Sequence, residues 1–295
     1  MTKDIRDYLN QLRQRLGGCD PALIQDALSD AEEHLTTALQ IELMETPGSA
    51  PAEALAAIIE KYGNPEEVAA AYLSIEARFS LGLAAPRSAR RGSFLNRFFG
   101  VVAEPRAWGA FVYALLALLT GNLYGLWAVI GGGFSLFSLV FIIGIPIAAL
   151  FLLSVRGIAL LEGRVVEALL GVRMPRKPFF IRCDLNGIEK LKALFTDRRT
   201  WRAFAYLILQ LPLGWLYFSL IGGLFIFSLC FLAGPILELV FHLPLELLGT
   251  DKFTPVWLLP LVCLSGLLML PATLHLAKLA GRLHGRYAKA LLVRK

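Results

Sequence analysis

Residues 197–217 read DRRTWRAFAYLILQLPLGWLY, and residues 104–124 read EPRAWGAFVYALLALLTGNLY, so one basic and aromatic entry into an apolar stretch is written twice. Overlaid without a gap, 106–136 and 199–229 agree at thirteen of thirty-one positions. Shared hydrophobicity makes the leucine matches cheap. It does not account for Arg106 with Arg199, Trp108 with Trp201, Tyr113 with Tyr206, Gly121 with Gly214, Tyr124 with Tyr217 or Ser135 with Ser228. The pattern reads as an internal repeat with an offset of 93. The units also close alike: GRVVEALLGVR (163–173) is answered by GRYAKALLVRK (285–295), at an offset of 122.

The chain has 295 residues, 56% of them hydrophobic, and a mean hydropathy of +0.61. Soluble domains sit near 45–50% apolar, so the composition is that of a membrane protein. Charge divides the chain in two. Residues 1–80 hold six Lys/Arg against fourteen Asp/Glu, and residues 81–295 hold 23 against nine. An acidic soluble piece is joined to a basic membrane piece. The opening MTKDIRDYLNQLRQRLGG lacks the apolar core of a secretory signal, so the first domain is expected in the cytoplasm.

Four apolar stretches, roughly 108–130, 134–155, 203–221 and 256–277, approach the ~20 residues a helix needs to cross a bilayer. A fifth, 222–241, carries Gly222-Gly223, Gly234-Pro235 and Glu238. Of the 23 basic residues after residue 80, all but Lys252 fall in 81–107, 156–202 and 278–295. Placing these three segments on one side requires an even number of crossings. The expectation is therefore four membrane helices with both termini cytoplasmic, and with 222–241 re-entering or lying partly buried at the outer face. Both hairpins would have the same orientation, as two parallel repeats (105–175 and 198–295). Arg106, Trp108 and Tyr113, with Arg199, Trp201 and Tyr206, are the expected membrane-interface anchors. Gly144, Pro146, Gly234 and Pro235 are expected hinge or packing positions. The linker 81–104 is basic and ends in an amphipathic FLNRFF suited to an anionic leaflet.

In the acidic piece, Ile5, Leu9, Leu12 and Leu16 recur at helical spacing. Asp20-Pro21 then caps and opens a second helix with a stripe from Leu23 to Leu43. A third helix, AEALAAIIEKY, stops at Gly63, and Asn64-Pro65-Glu66-Glu67 starts a fourth with Glu67 reaching back. The opening Tyr8-Leu9…Leu12, SDAEEHL (29–35) and AEALAAIIEKYGNPEEVAAAY (52–72) resemble the HAAS-type signalling domain of bacterial membrane regulators, over nearly all of 1–79. The resemblance implies a four-helix bundle that signals by docking, with a PadR-type transcription regulator as the implied partner. The docking candidates are Asp30, Glu33 and His34 with the turn Tyr62, Gly63, Asn64, Pro65 and Glu66.

PRAWGAFVYALLALLTG, RRTWRAFAYLILQLPLG and the GR…ALLG exit resemble the membrane sensor domain at the N-terminus of certain bacterial histidine kinases, over about 94–295. No phospho-acceptor helix or ATP-binding segment appears in the 295 residues, so kinase activity does not come with the resemblance.

The sequence shows no nucleophile–base set, phosphate loop, cofactor motif or metal motif. His34 has Asp30 and Ala38 at four-residue spacing, not a second histidine, and GGG at 131–133 lacks a P-loop lysine. The basic segments need only anionic lipid as partner, so no direct nucleic-acid binding is expected. Glu162 and Glu167 are expected to pair locally with Arg164 or other basic neighbours in the exit helix, and His284 has no assigned role.

The fold expectation is thus all-α: a cytoplasmic four-helix bundle (1–80), the linker, and a polytopic membrane domain (105–295). The functional expectation is a non-catalytic signalling protein of the bacterial cytoplasmic membrane. Its partners would be the bilayer, a cytoplasmic protein (a transcription regulator or a membrane protein) and a second copy of itself. The alternative is an accessory subunit or small carrier associated with a permease.

Overall fold

The computed structural model describes residues 3–46, 50–83, 93–141, 144–176, 192, 194–242 and 255–293. Every regular element among them is helical. The centre of the basic linker, Cys183, Lys252, most of the 242–255 loop and the last two basic residues lie outside them.

The acidic piece forms α1 (Lys3–Arg15), α2 (Pro21–Glu45), α3 (Pro51–Tyr62) and α4 (Pro65–Leu83). Ile5, Tyr8, Leu12 and Leu16 bury one face of α1 against Ala27, Ala31 and Leu35 of α2 and Leu55 of α3. The Asp20 carboxylate accepts from the Ala22 N–H at 2.9 Å, and Pro21 occupies the first turn where its missing donor costs nothing. Gly63 ends α3 at φ +107°, where a side chain would be strained. The Asn64 N–H donates to Glu67 Oε2 at 3.1 Å, so the glutamate satisfies an orphan donor of α4.

The membrane piece begins with α5 (Phe94–Phe99) and a 3₁₀ turn, Gly100–Ala103. The elements α6 (Pro105–Ser138), α7 (Gly144–Leu170), α8 (Arg198–Tyr217), α9 (Gly223–Phe241) and α10 (Leu259–Leu292) follow. A π-helical turn, Phe218–Gly222, joins α8 to α9, so Arg198–Phe241 is one helix of 44 residues. Among the described residues four helices are therefore long and apolar enough to cross a membrane: α6, α7, α8–α9 and α10. The segment 222–241 does not turn back as the re-entrant alternative required; it continues α8 as helix, partly buried at Ser228, Gly234, Pro235 and Glu238. Its glycines and Pro235 are carried inside a helix because an apolar chain keeps its backbone hydrogen-bonded there.

A second difference concerns the two hairpins. A β-carbon on Gly121 would stand 2.5 Å from the Gln210 carbonyl oxygen, and one on Gly214 would stand 2.1 Å from that of Ala117. Further along, Gly132 meets Phe204 and Phe111 meets Phe225. Rising positions on α6 thus pair with falling positions on α8–α9, and the helices cross antiparallel, not in the parallel sense expected. Charge counting sets the basic starts of α6 and α8 on one side, which requires parallel helices, and the packing departs from that placement. The packing is decided by two equivalent glycines, each seated on the other helix's backbone, a self-complementary contact that a two-fold relationship provides.

The two pieces touch. Asp20 and Lys289 form an ion pair between the start of α2 and the end of α10. The Arg176 N–H donates to Asp26 Oδ1 at 2.7 Å, and Arg173 pairs with Glu76 of α4. Ala22 is fully buried in the same apolar cluster as Met174 and Ala288.

Candidate functional site

Where α6, α7, α8 and α10 meet, their apolar packing is interrupted by a buried polar cluster. Tyr113 of α6 and Tyr206 of α8 occupy equivalent positions 93 residues apart, and both hydroxyls reach the same two acceptor and donor atoms. The Tyr113 hydroxyl donates to Glu162 Oε1 at 2.7 Å, and the Tyr206 hydroxyl donates to the same oxygen at 3.2 Å. His284 Nε2 lies 2.6 Å from the first hydroxyl and 2.9 Å from the second. Because both hydroxyls donate to the carboxylate, they accept from His284 Nε2–H, which leaves Nδ1 to accept from the Tyr217 hydroxyl at 3.2 Å. Gln210 Nε2 donates to the Tyr113 hydroxyl at 3.1 Å.

Glu162, Gln210 and Tyr206 are completely buried, and Tyr113 and His284 are 1% exposed. Glu162 Oε2 and Gln210 Oε1 have no hydrogen-bond partner. Tyr124 of α6, the repeat equivalent of Tyr217, also approaches Glu162, and a buried network of this kind is sensitive to any change in its partners or packing. Its chain of hydroxyls links a carboxylate to an imidazole, so a proton can be redistributed among them without leaving the cluster. Among the described residues no three His, Cys, Asp or Glu side chains gather as metal ligands.

The sequence reading missed this site. Tyr113 and Tyr206 were expected at the membrane interface and are instead core. The local pairing expected of Glu167 is present, with Arg164 at 3.2 Å, but Arg164 donates otherwise to the Arg176 carbonyl at 2.7 Å, and Glu162 faces the buried cluster instead. A signal was present: carrying the 122-residue offset one position back sets Glu162 opposite His284.

The remaining expected anchors follow the repeat. The Trp108 indole donates to the Val102 carbonyl at 2.7 Å, and the Trp201 indole donates to that of Phe195 at 2.8 Å, six residues upstream in each case. Each ring then meets a phenylalanine three residues on, edge to face, with centroids 5.9 and 6.0 Å apart. Arg106 lies at the start of α6 and Arg199 at that of α8, whose N-cap is Asp197. Gly144 opens α7 beside the Ser138 carbonyl, where a β-carbon would stand at 1.8 Å, and Pro146 is exposed in that first turn. Gly234 and Pro235 are buried within α9.

On the front bundle, Asp30, Glu33, His34 and Tyr62 line one open groove with Thr37 and Tyr72. His34 stacks on Tyr62 with centroids 4.6 Å apart, and the Tyr72 hydroxyl donates to Asp30. Burial and that hydrogen bond push the Tyr72 phenol above its ordinary range. The Tyr8 hydroxyl donates to the Gly63 carbonyl at 2.8 Å and anchors the turn beside the groove. Asn64 and Pro65 belong to that turn, and Glu66 turns away to pair with Arg15.

Comparison with known proteins assigns both parts. A family model described as "Putative sensor" matches residues 113–292, which run from Tyr113 to the end of α10 and enclose the whole cluster. The HAAS model matches residues 7–71. No curated protein and no solved structure matches the chain. Its membrane part covers well over half the sequence, and by that match the chain belongs to the sensor family, with a HAAS domain preceding it.

Proposed function

We propose that this protein is a non-catalytic signal transducer of the bacterial cytoplasmic membrane, with the HAAS bundle on the cytoplasmic side. The membrane domain would register a change at the bilayer, and the HAAS bundle would offer or withdraw a docking surface for a cytoplasmic partner. The mechanism is a shift between two populated arrangements, not a reaction. The observation that carries this reading is the contact between the pieces. Asp20, Asp26 and Glu76 of the bundle are held by Lys289, the Arg176 backbone and Arg173 of the membrane part. A rearrangement of α10 therefore pulls directly on α2. The groove around His34 and Tyr62 is the surface we assign to the partner, and a PadR-type regulator is the partner that fits the HAAS match.

The test is capture on full-length protein held in lipid nanodiscs. Recovery of a DNA-binding regulator from the source cell, lost with Glu33→Lys in the groove but retained with a distant surface change such as Arg6→Gln, supports the reading. Recovery of a permease subunit moves the protein to the accessory-subunit reading. That alternative has one observation in its favour: the helices run beyond the spans read from sequence and enclose Glu162 and His284, and buried ionisable groups within membrane helices often mark a transport path.

A further inference from the structure

The short helix α5 stands before the membrane-crossing helices and presents an apolar ring to the outside. Its sequence, FLNRFF, puts Phe94 and Phe98 on one face at four-residue spacing, with Asn96 and Arg97 away from it. One end of that face is held by α10. The Phe98 ring stacks on His275 with centroids 5.7 Å apart, and the His275 Nε2–H donates to the Phe98 carbonyl at 3.2 Å. Behind α5, Val101 of the 3₁₀ turn is buried with Ala107, Leu274 and Ala277. The Lys278 ammonium donates to both oxygens of Glu104, at 2.7 and 2.5 Å. The other end of the face has no such cover. Phe94 stacks on Phe98, centroids 6.4 Å apart, yet is 79% exposed, and Leu95 is 63% exposed.

From this we infer that α5 docks on an anionic lipid leaflet, with Phe94 and Leu95 entering the boundary between headgroups and acyl chains and Arg97 reaching the lipid phosphates. Two observations name the occupant. The first is continuity. One 3₁₀ turn separates α5 from Pro105, where the membrane-crossing α6 begins, and the Trp108 indole of α6 is bonded to Val102 of that turn. The exposed side chains therefore lie where the chain enters the bilayer. The second is charge. Between Glu76 and Glu104 the chain carries Arg78, Arg87, Arg90, Arg91 and Arg97, and no Lys, Asp or Glu. The two flanking acids are already paired, Glu76 with Arg173 and Glu104 with Lys278. Arg97 is exposed and forms no ion pair among the described residues. At most about 14 Å of extended chain separates Arg90 from Phe94, so that charge accompanies α5 whatever path the chain takes. A helix of six residues offers little apolar area, and the arginines supply the attraction that an uncharged leaflet lacks.

The grip of α10 gives the docking a consequence. The helix that holds Phe98 through His275 also carries His284 of the buried cluster and Lys289 of the contact with the bundle. A displacement of α5 by lipid charge is thereby passed along α10 to Asp20, and this consequence rests on the signalling reading. Docking itself stands on α5 alone.

Spin labels read the docking in the full chain, its four cysteines changed to serine, in nanodiscs of phosphatidylcholine alone or mixed with phosphatidylglycerol. Labels at Leu95→Cys and Asn96→Cys are compared for collision with oxygen, which partitions into lipid, and with a nickel chelate, which stays in water. The expected result is oxygen preference at 95 and chelate preference at 96, with the preference at 95 rising several-fold in the phosphatidylglycerol discs. Arg97→Glu should abolish that rise. Chelate preference at 95 in both lipids overturns the docking. A label at 95 shielded from both reagents overturns it in favour of a second protein chain. Equal oxygen preference in the two lipids overturns the anionic assignment. Amide exchange of residues 22–27 is followed in the same discs. A change between the two lipids supports the link to the bundle, whereas docking that leaves it unchanged keeps the lipid contact and removes its role in signalling.

Discussion

Glu162 and His284 are joined through the same two hydroxyls. Tyr113 and Tyr206 each contact Glu162 Oε1 and His284 Nε2, at 2.7 and 2.6 Å in the first case and 3.2 and 2.9 Å in the second. Matched tyrosines from α6 and α8 thus hold unmatched partners, an acid on α7 and a base on α10. The two halves of the membrane domain are tied here by buried polar bonds, in addition to the ion pairs of Arg156 with Asp197 and of Lys278 with Glu104.

Removal of either hydroxyl should cost about 1–3 kcal/mol, because a buried acceptor or donor is left without its partner. Tyr113→Phe is expected to cost more than Tyr206→Phe, since its bonds are shorter and it also accepts from Gln210. The double variant should lose less than the sum, because the second hydroxyl is removed from a network already broken. Reversible unfolding in mixed micelles measures all three. Strict additivity would show that the two tyrosines act independently.

The antiparallel crossing makes a steric prediction. Gly214→Ala places a methyl group 2.1 Å from the Ala117 carbonyl oxygen, so α6 and α8 must separate. Gly157→Ala places one in open space. The first should destabilise by about 2 kcal/mol or more, and the second should be neutral or slightly stabilising through its helix propensity. Comparable unfolding midpoints for the two variants would contradict the close contact.

Local structure was legible in the sequence wherever a residue type answers a local demand. Asp20-Pro21, Gly63 and the Asn64–Glu67 reach-back are short-range chemistry, and all three take the roles their types imply. The repeated Arg-x-Trp entry likewise led to matched indole bonds six residues upstream. What escaped was long-range. Tyr113 lies 49 residues from Glu162 and 171 from His284, and no local pattern marks such a meeting. The span ends were drawn at Arg156 and Lys278, where charge begins. The helices continue beyond them because Arg156 finds Asp197 and Lys278 finds Glu104, which offset the charges that made those positions look like boundaries.

The HAAS bundle should weaken in alkali through Tyr8. Burial, with Tyr62 and Glu67 nearby, pushes its phenol from 10.0 up to about 12. The folded state therefore holds the proton more tightly than the unfolded chain does. The stabilisation is complete below about pH 10 and is lost as the pH rises from there through about 12. Tyr8→Phe should lower stability at neutral pH by about 1 kcal/mol, through loss of the bond to the Gly63 carbonyl. It should also flatten the alkaline slope. Circular dichroism of the full chain across pH 9 to 12 reads both effects, and an unchanged slope would remove Tyr8 from the account.

The ion pair of Asp20 with Lys289 gives the most direct handle on coupling. Both side chains are 28% exposed, so the pair is partly shielded from water and salt, and its loss should be felt at the contact more than in overall stability. Lys289→Asp sets two carboxylates against each other and should loosen the start of α2, raising amide exchange of residues 22–27 while leaving the α3–α4 turn protected. Asp20→Lys alone removes the N-cap of α2 as well, so it should be the more harmful single change. Combining the two reverses the pair, and protection at 22–27 should return in part, short of full recovery because the cap is still missing. Failure of the reversed pair to improve on Asp20→Lys would mean that the apolar seal around Ala22, rather than this charge contact, holds the bundle to the membrane domain.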